Sequence, residues 1–193
     1  MDKTVKLKIL IACEYSGIVR EAFKKKGHDV WSCDILPTEI PGQHIQDDIL
    51  KHLDEDWDMM IAHPPCTYIS NMSNCRINEL GRREKRKEGF DFFMKFTQTK
   101  IPQVAIENPR GLPEREYRKS DQIIQPYQFG HSASKATCLW LKNLPILIPT
   151  NIVDYERKWD GRRWRTWVDL TSTGKMRSKT FQGIADAMAE QWG

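Results

Sequence analysis

Four short apolar runs, each closed by a tail of polar or proline residues, set the strongest limit on what this chain can fold into. Lys6–Cys13 (KLKILIAC) reads as a buried strand. His28–Cys33 follows and ends at Asp34. Asp58–Ala62 runs into His63-Pro64-Pro65-Cys66, and Gln103–Ile106 ends in Glu107-Asn108-Pro109. The stretches between them carry helical signals. Ile18–Lys26 has Ser16 where an N-cap would sit and Gly27 in the C-cap position. Glu79–Thr99 puts Phe90, Phe93, Met94 and Thr97 on one face. Thr137–Leu141 reads as a further strand and Thr180–Gln191 as a closing amphipathic helix. Such alternation predicts an α/β fold, a mostly parallel sheet with helices on both faces. At 193 residues the chain is expected to form a single domain. Asn151–Lys175 lacks period, is rich in Arg and Trp, and reads as a long loop or small basic insert.

Composition narrows the functional classes. Residues 1–80 hold 9 Lys/Arg against 13 Asp/Glu, whereas residues 81–193 hold 21 against 13. The basic second half is expected to meet a polyanion. Apolar runs stay far below the roughly 20 residues of a membrane span, and Met1–Lys8 has no apolar stretch of signal-peptide type. Five scattered cysteines without a CxxC pair predict neither a disulfide framework nor a zinc site, and no metal is expected. A reduced, cytoplasmic setting follows, with most thiols serving as small buried hydrophobes.

In a parallel sheet of this kind, ligands bind beyond the carboxyl ends of the strands. All four tails would open there. The first, Glu14-Tyr15-Ser16-Gly17, is not GxGxxG, so the usual pyrophosphate cradle is missing. Asp34 is the right type and place to accept ribose hydroxyls, though a strand-end aspartate is as often a cap. Asp47 and Asp48 offer either an acceptor for an adenine amino group or a solvated turn. Together they point to a nucleoside cofactor without a diphosphate, which S-adenosylmethionine fits better than NAD or ATP. The third tail is the most specific: two prolines stiffen the loop and fix the Cys66 thiol as a candidate nucleophile. Glu107, on the next strand tip, would stand beside it as an acid for a ring nitrogen. A thiolate adding to carbon-6 of cytosine, with a proton delivered to N3, makes carbon-5 able to accept a methyl group.

In these pieces and their order the sequence resembles the cytosine-5 DNA methyltransferases. Tyr15-Ser16-Gly17 looks like the core of the cofactor loop, Asp34 like its ribose ligand and Asp48-Ile49 like its adenine-side motif. Pro64-Pro65-Cys66 looks like the catalytic Pro-Cys loop and Glu107-Asn108 like the Glu-Asn-Val motif. Lys135-Ala136-Thr137 stands in place of the arginine segment, with Lys135 as a partial substitute. Gln182-Gly183-Ile184-Ala185 is a poor match to the closing Gly-Asn motif. The resemblance covers roughly residues 7–145 and 177–192. It implies a Rossmann-like S-adenosylmethionine-dependent fold, base flipping, Cys66 as nucleophile, Glu107 as the N3 partner, Asn108 and Lys135 in the catalytic set, and Tyr15, Ser16, Gly17, Asp34, Asp48 and Pro65 around the cofactor. Cys13, Val19 and Thr137 depart from the family pattern. The large recognition domain is missing too, as in compact members of phage or prophage type.

Two basic regions remain. Arg82–Lys87 is either a solvated helix surface or a phosphate contact. Arg157, Lys158, Arg162, Arg163, Trp164 and Arg165 lie in the insert and are expected to bind DNA, duplex or single-stranded, by phosphate contact and stacking. Two other readings stay open. His63-Pro64-Pro65-Cys66 superficially resembles the Asp/Asn-Pro-Pro-Tyr/Phe motif of amino-methyltransferases acting on adenine-N6 or cytosine-N4, with His and Cys at the two key positions. A non-catalytic, methyltransferase-like nucleic-acid-binding module is the other.

Overall fold

The computed structural model describes residues 5–155 and 173–193. Among these, seven strands form one sheet: β1 (Lys8–Ala12), β2 (Asp29–Asp34), β3 (His44–Gln46), β4 (Met59–Ala62), β5 (Gln103–Pro109), β6 (Gln122–Ile124) and β7 (Thr137–Lys142). Their spatial order is β3-β2-β1-β4-β5-β7-β6. The first five are parallel, and β7 runs antiparallel between β5 and β6. The helices are α1 (Ile18–Lys25), α2 (Arg82–Thr97), α3 (Leu112–Glu116), α4 (Gly174–Ser178) and α5 (Gln182–Trp192).

Central parallel strands are covered on both sides, so their apolar runs are continuous rather than alternating. Ile9, Ile11, Met59, Ile61 and Ala105 face one layer, packed on Val19 and Phe23 of α1 and Ile184, Met188 and Trp192 of α5. Leu10, Ala12, Met60, Ala62, Val104 and Ile106 face the other, packed on Phe93 and Phe96 of α2. The expected α/β sheet with helices on both faces is therefore present. Strand order reverses between β1 and β4, and the crevice at that switch point is where a ligand fits such a sheet.

The start of α1 differs from expectation. Gly17, at φ 77°, is the N-cap rather than Ser16. The buried Glu14 carboxylate does the capping: it accepts from the amides of Val19 (2.7 Å) and Arg20 (3.3 Å) and from the Ser16 hydroxyl (3.1 Å). A carboxylate suits the positive end of a helix dipole. Arg20 is fully buried; its guanidinium donates to Ser32 Oγ (2.9 Å), Thr38 Oγ1 (3.1 Å) and the Ile40 carbonyl (2.5 Å), tying the β2–β3 loop to α1.

Other boundaries moved by a few residues. β3 and β6 were not foreseen, because three residues carry no readable period; β3 takes its register from Ser32–Asp34 alongside. The helix expected from Glu79 begins at Arg82, after Gly81 at φ 71°. The last helix starts at Gln182 instead of Thr180. Gly183 in its first turn lies so close to the Phe129 carbonyl that a Cβ would overlap it.

Replacing Glu14 by Ala strips the cap from two amides and should cost roughly 1–2 kcal/mol. For a chain of this size that is a fall of about 2–8 °C in Tm. Thermal unfolding followed by circular dichroism checks it; an unchanged Tm would deny Glu14 its capping role.

Candidate active site

Parallel register brings the strand tips level. Ala12 pairs with Cys33 on one side and Ala62 on the other, and Ala62 pairs with Ile106. The next residues along these strands, Cys13, Asp34, His63 and Glu107, therefore stand in one row. Side chains at matched positions of parallel strands share a face. His63 and Glu107 do so and meet: His63 Nδ1 lies 3.3 Å from Glu107 Oε2, with side-chain exposures of 7% and 16%. Asn108, one residue on, turns to the opposite face, where Nδ2 donates to the Pro64 carbonyl at 2.7 Å. That bond fastens the end of β5 to the proline loop. The Cys66 carbonyl then closes the loop by accepting from the amides of Ile69 (3.2 Å) and Ser70 (3.0 Å).

Charge around Cys66 is mixed. Burial, with the negative charge of Glu107, pushes the thiol up, while Lys135 and Arg177 pull it back in part. Burial also opposes ionisation of Glu107, but the His63 hydrogen bond and the charges of Lys135 and His63 outweigh it and hold the carboxyl below its usual range. The free site therefore pairs a protonated thiol with a carboxylate. Lys135 is steadied by donating to the Arg177 carbonyl at 3.0 Å. Two buried polar atoms, His63 Nε2 and Asn108 Oδ1, have no hydrogen-bond partner among the described residues. Such atoms cost about 1–3 kcal/mol each when left unpaired; His52 Nε2 and Arg82 Nε, outside this cluster, are in the same condition among the described residues.

Across the crevice, the tip of β1 is flanked by acids. Cys13 has φ 57°, and its burial, reinforced by the charges of Asp34 and Asp48, keeps its thiol protonated. Asp34 accepts from the Leu36 amide (2.9 Å), and Asp48 from Leu50 (3.0 Å) as the cap of a short 3-10 turn. Both cap locally, which is the bland alternative the sequence left open, yet both also border the same tip. Their carboxylates match the hydroxyl and amino donors of a nucleoside. No diphosphate fits the first amides of α1, since Ser16 Oγ takes that of Ile18 (3.3 Å) and Glu14 those of Val19 and Arg20. Tyr15 reaches α4, its hydroxyl 3.1 Å from Ser178 Oγ, and the Tyr15 carbonyl accepts from the Glu39 amide (2.8 Å). Pro65 is exposed beside Cys66, whereas Pro64 is buried.

Cys66, Glu107, Asn108 and Lys135 thus converge, as do Tyr15, Ser16, Gly17, Asp34 and Asp48 around the neighbouring tip. Ser16 serves Glu14, and Gly17 gives the turn its left-handed backbone. Two participants escaped the sequence reading. In the sequence His63 has a place only in the amino-methyltransferase-like reading of its tail; its contact with Glu107 follows from strand register. Arg177 carried no signal beyond being basic ahead of the last helix. Arg157, Lys158, Arg162, Arg163, Trp164 and Arg165 lie outside the described residues.

No protein-family model matches the chain, and no curated protein matches it. A solved structure of a prophage-encoded protein from E. coli, provisionally described as a DNA modification methyltransferase, is similar in fold. Its TM-score is 0.51 at 15% identity, over 77% of this chain and 52% of that one. The chain thus spans about half the length of that protein, and the likeness is one of fold. Among the described residues, no helix is long and apolar enough to cross a membrane.

Cys66 alkylation reads this charge balance directly, because only the thiolate reacts. With its pKa raised, Cys66 should react with iodoacetamide only at higher pH than a free thiol. Glu107→Gln removes the opposing charge and should shift the profile to lower pH; Lys135→Ala should shift it higher. Peptide mass mapping separates Cys66 from the exposed Cys75. Coincident profiles for all three proteins would show that the three groups are uncoupled.

Proposed function

We propose that this protein transfers a methyl group from S-adenosylmethionine to carbon-5 of cytosine in DNA, through a covalent adduct on Cys66. One observation carries the reading: a thiol on a proline-stiffened strand tip stands beside a carboxylate on the next tip, and Asn108 bonds one tip to the other. The likeness of fold to a DNA modification methyltransferase supports the same class.

Protons balance within the cluster. When a flipped cytosine enters, the Cys66 proton passes to the Glu107 carboxylate as sulfur bonds to carbon-6. Glu107 then delivers that proton to N3, leaving carbon-5 with enamine character. Lys135 and Arg177 stabilise the thiolate while it forms, and His63 holds the Glu107 carboxylate in place. S-adenosylmethionine, when bound, supplies an electrophilic methyl group on a sulfonium. Asp34 would hold its ribose and Asp48 its adenine amino group, with Tyr15, Ser16, Gly17 and Pro65 forming the walls. Solvent water takes the carbon-5 proton as the sulfur–carbon-6 bond breaks and sulfur leaves as the thiolate; Glu107 then carries the N3 proton back to Cys66.

A duplex containing 5-fluorocytosine tests the adduct, since fluorine cannot leave carbon-5 as a proton does. Wild type with S-adenosylmethionine should give a shifted band on denaturing gels, and Cys66→Ser none. A band that persists in Cys66→Ser moves the nucleophile elsewhere. Glu107→Gln should slow adduct formation by roughly 10²-fold or more, the usual weight of a positioned acid.

Calorimetry with S-adenosylhomocysteine tests the cofactor assignment. Asp34→Ala should weaken binding about 10-fold or more, as expected for a lost hydrogen bond to a charged group. Wild-type affinity in that variant would remove Asp34 from the cofactor site.

A further inference from the structure

The segment that follows Cys66 is gripped on one side by the cationic helix α2 and on the other by the chain leaving β5 and by α3. After Ser70 the chain makes a 3-10 turn, Asn71–Arg76. On one side α2 presents Arg82, Lys85, Arg86 and Gly89 at helical spacing. Gly89 lets the helix close on this segment: a Cβ there would stand 3.3 Å from Ile69 Cγ2. Arg82 and Lys85 lie over the Tyr68 ring, 4.9 and 5.7 Å from its centroid. Arg86 donates to Asn74 Oδ1 at 2.6 Å.

On the other side the chain leaving β5 docks on the same segment. The Asn71 amide donates to the Arg110 carbonyl (2.9 Å) and the Leu112 amide to the Ile69 carbonyl (2.7 Å). From α3, Arg115 donates to Asn71 Oδ1 at 3.4 Å. Two arginines from separate helices are thereby aimed by neutral amide oxygens of one turn. Neither pairs with a carboxylate among the described residues. Nearby acids are engaged elsewhere: Glu79 with Arg76 (3.0 Å) and Arg82 (3.7 Å), and Glu114 with the Ser120 hydroxyl (3.0 Å). Burial and the charge of Arg115 both act against the charge on Arg86, and Glu116 offsets part of that. Like charges converging with only partial compensation are complementary to an anion.

We propose that Arg86 and Arg115 form a seat for one phosphodiester of the DNA strand that carries the target base, with Arg82 and Lys85 lining the approach. The proposal rests on the reading of Cys66 as acting on DNA. Guanidinium forks match phosphate oxygens bidentately. A phosphate contact fixes register rather than sequence. Gripping the backbone beside the turn that follows Cys66 would hold the strand while its base swings to the thiol. The seat is built from α2, α3 and the turn Asn71–Arg76 that they hold.

Fluorescence anisotropy of the full chain with a fluorescein-labelled duplex, at several NaCl concentrations, tests it. Arg86→Gln/Arg115→Gln should weaken binding about 10-fold, as expected for lost charge-assisted contacts. The salt slope should lessen by about 1, the value for one phosphate released. Lys87→Gln, whose lysine pairs with Asp91, should leave both unchanged. Arg115→Gln alone touches an exposed side chain and keeps the test valid if the double variant unfolds; it should weaken binding in the same direction. A folded Arg115→Gln protein with wild-type affinity and slope overturns the seat. A wild-type 5-fluorocytosine adduct with unchanged slopes in the variants overturns the seat alone. A lessened slope with no wild-type adduct overturns the cytosine reading and leaves the seat standing.

Discussion

The bond from Asn108 Nδ2 to the Pro64 carbonyl is the link on which the site depends. Proline cannot donate, so the His63–Cys66 loop has few ways to be held by its own backbone. Asn108 is 1% exposed and supplies the missing grip from the neighbouring strand. Because β5 alternates faces, holding Asn108 on one face commits Glu107 to the other, where His63 waits. One buried amide therefore fixes the loop and, through the pleat, orients the carboxylate.

Electrostatics in the cluster favour a resting state. A fully formed thiolate beside a carboxylate would repel it, and a buried thiolate would lack solvent. Protonated Cys66 with ionised Glu107 avoids both, and Lys135 and Arg177 keep the reverse arrangement within reach. The ordering of these groups comes from three separate parts of the chain: strand tips, the lead into β7 and α4. That dispersion makes the site sensitive to how α4 sits, and α4 is tied to both Lys135 and Tyr15.

Much of this was legible in the sequence. Apolar runs located β1, β2, β4 and β5, because fully buried parallel strands need continuous hydrophobic stretches, and β7, which is antiparallel but buried over most of its length. Their tails pointed to Cys66, Glu107 and Asp34, because strand ends in a parallel sheet open on one edge. What escaped depended on long-range geometry. The capping of α1 by Glu14 arises from a turn that folds the chain back on the helix start, so Ser16 looked the better cap. Arg177 comes beside Cys66 only once α5 has packed against α1. The pairing of Arg86 with Arg115 required α2 and α3 to meet over a single turn, which no local pattern encodes.

Glu14 has a consequence beyond stability. Tethered to the chain a few residues from the amides it occupies, its carboxylate is present at an effective concentration that millimolar free anions do not match. The start of α1 thus carries its own permanent competitor. Phosphate, ATP and other phosphorylated metabolites meet a helix end that is already taken, so the resting protein turns such anions away from the start of α1.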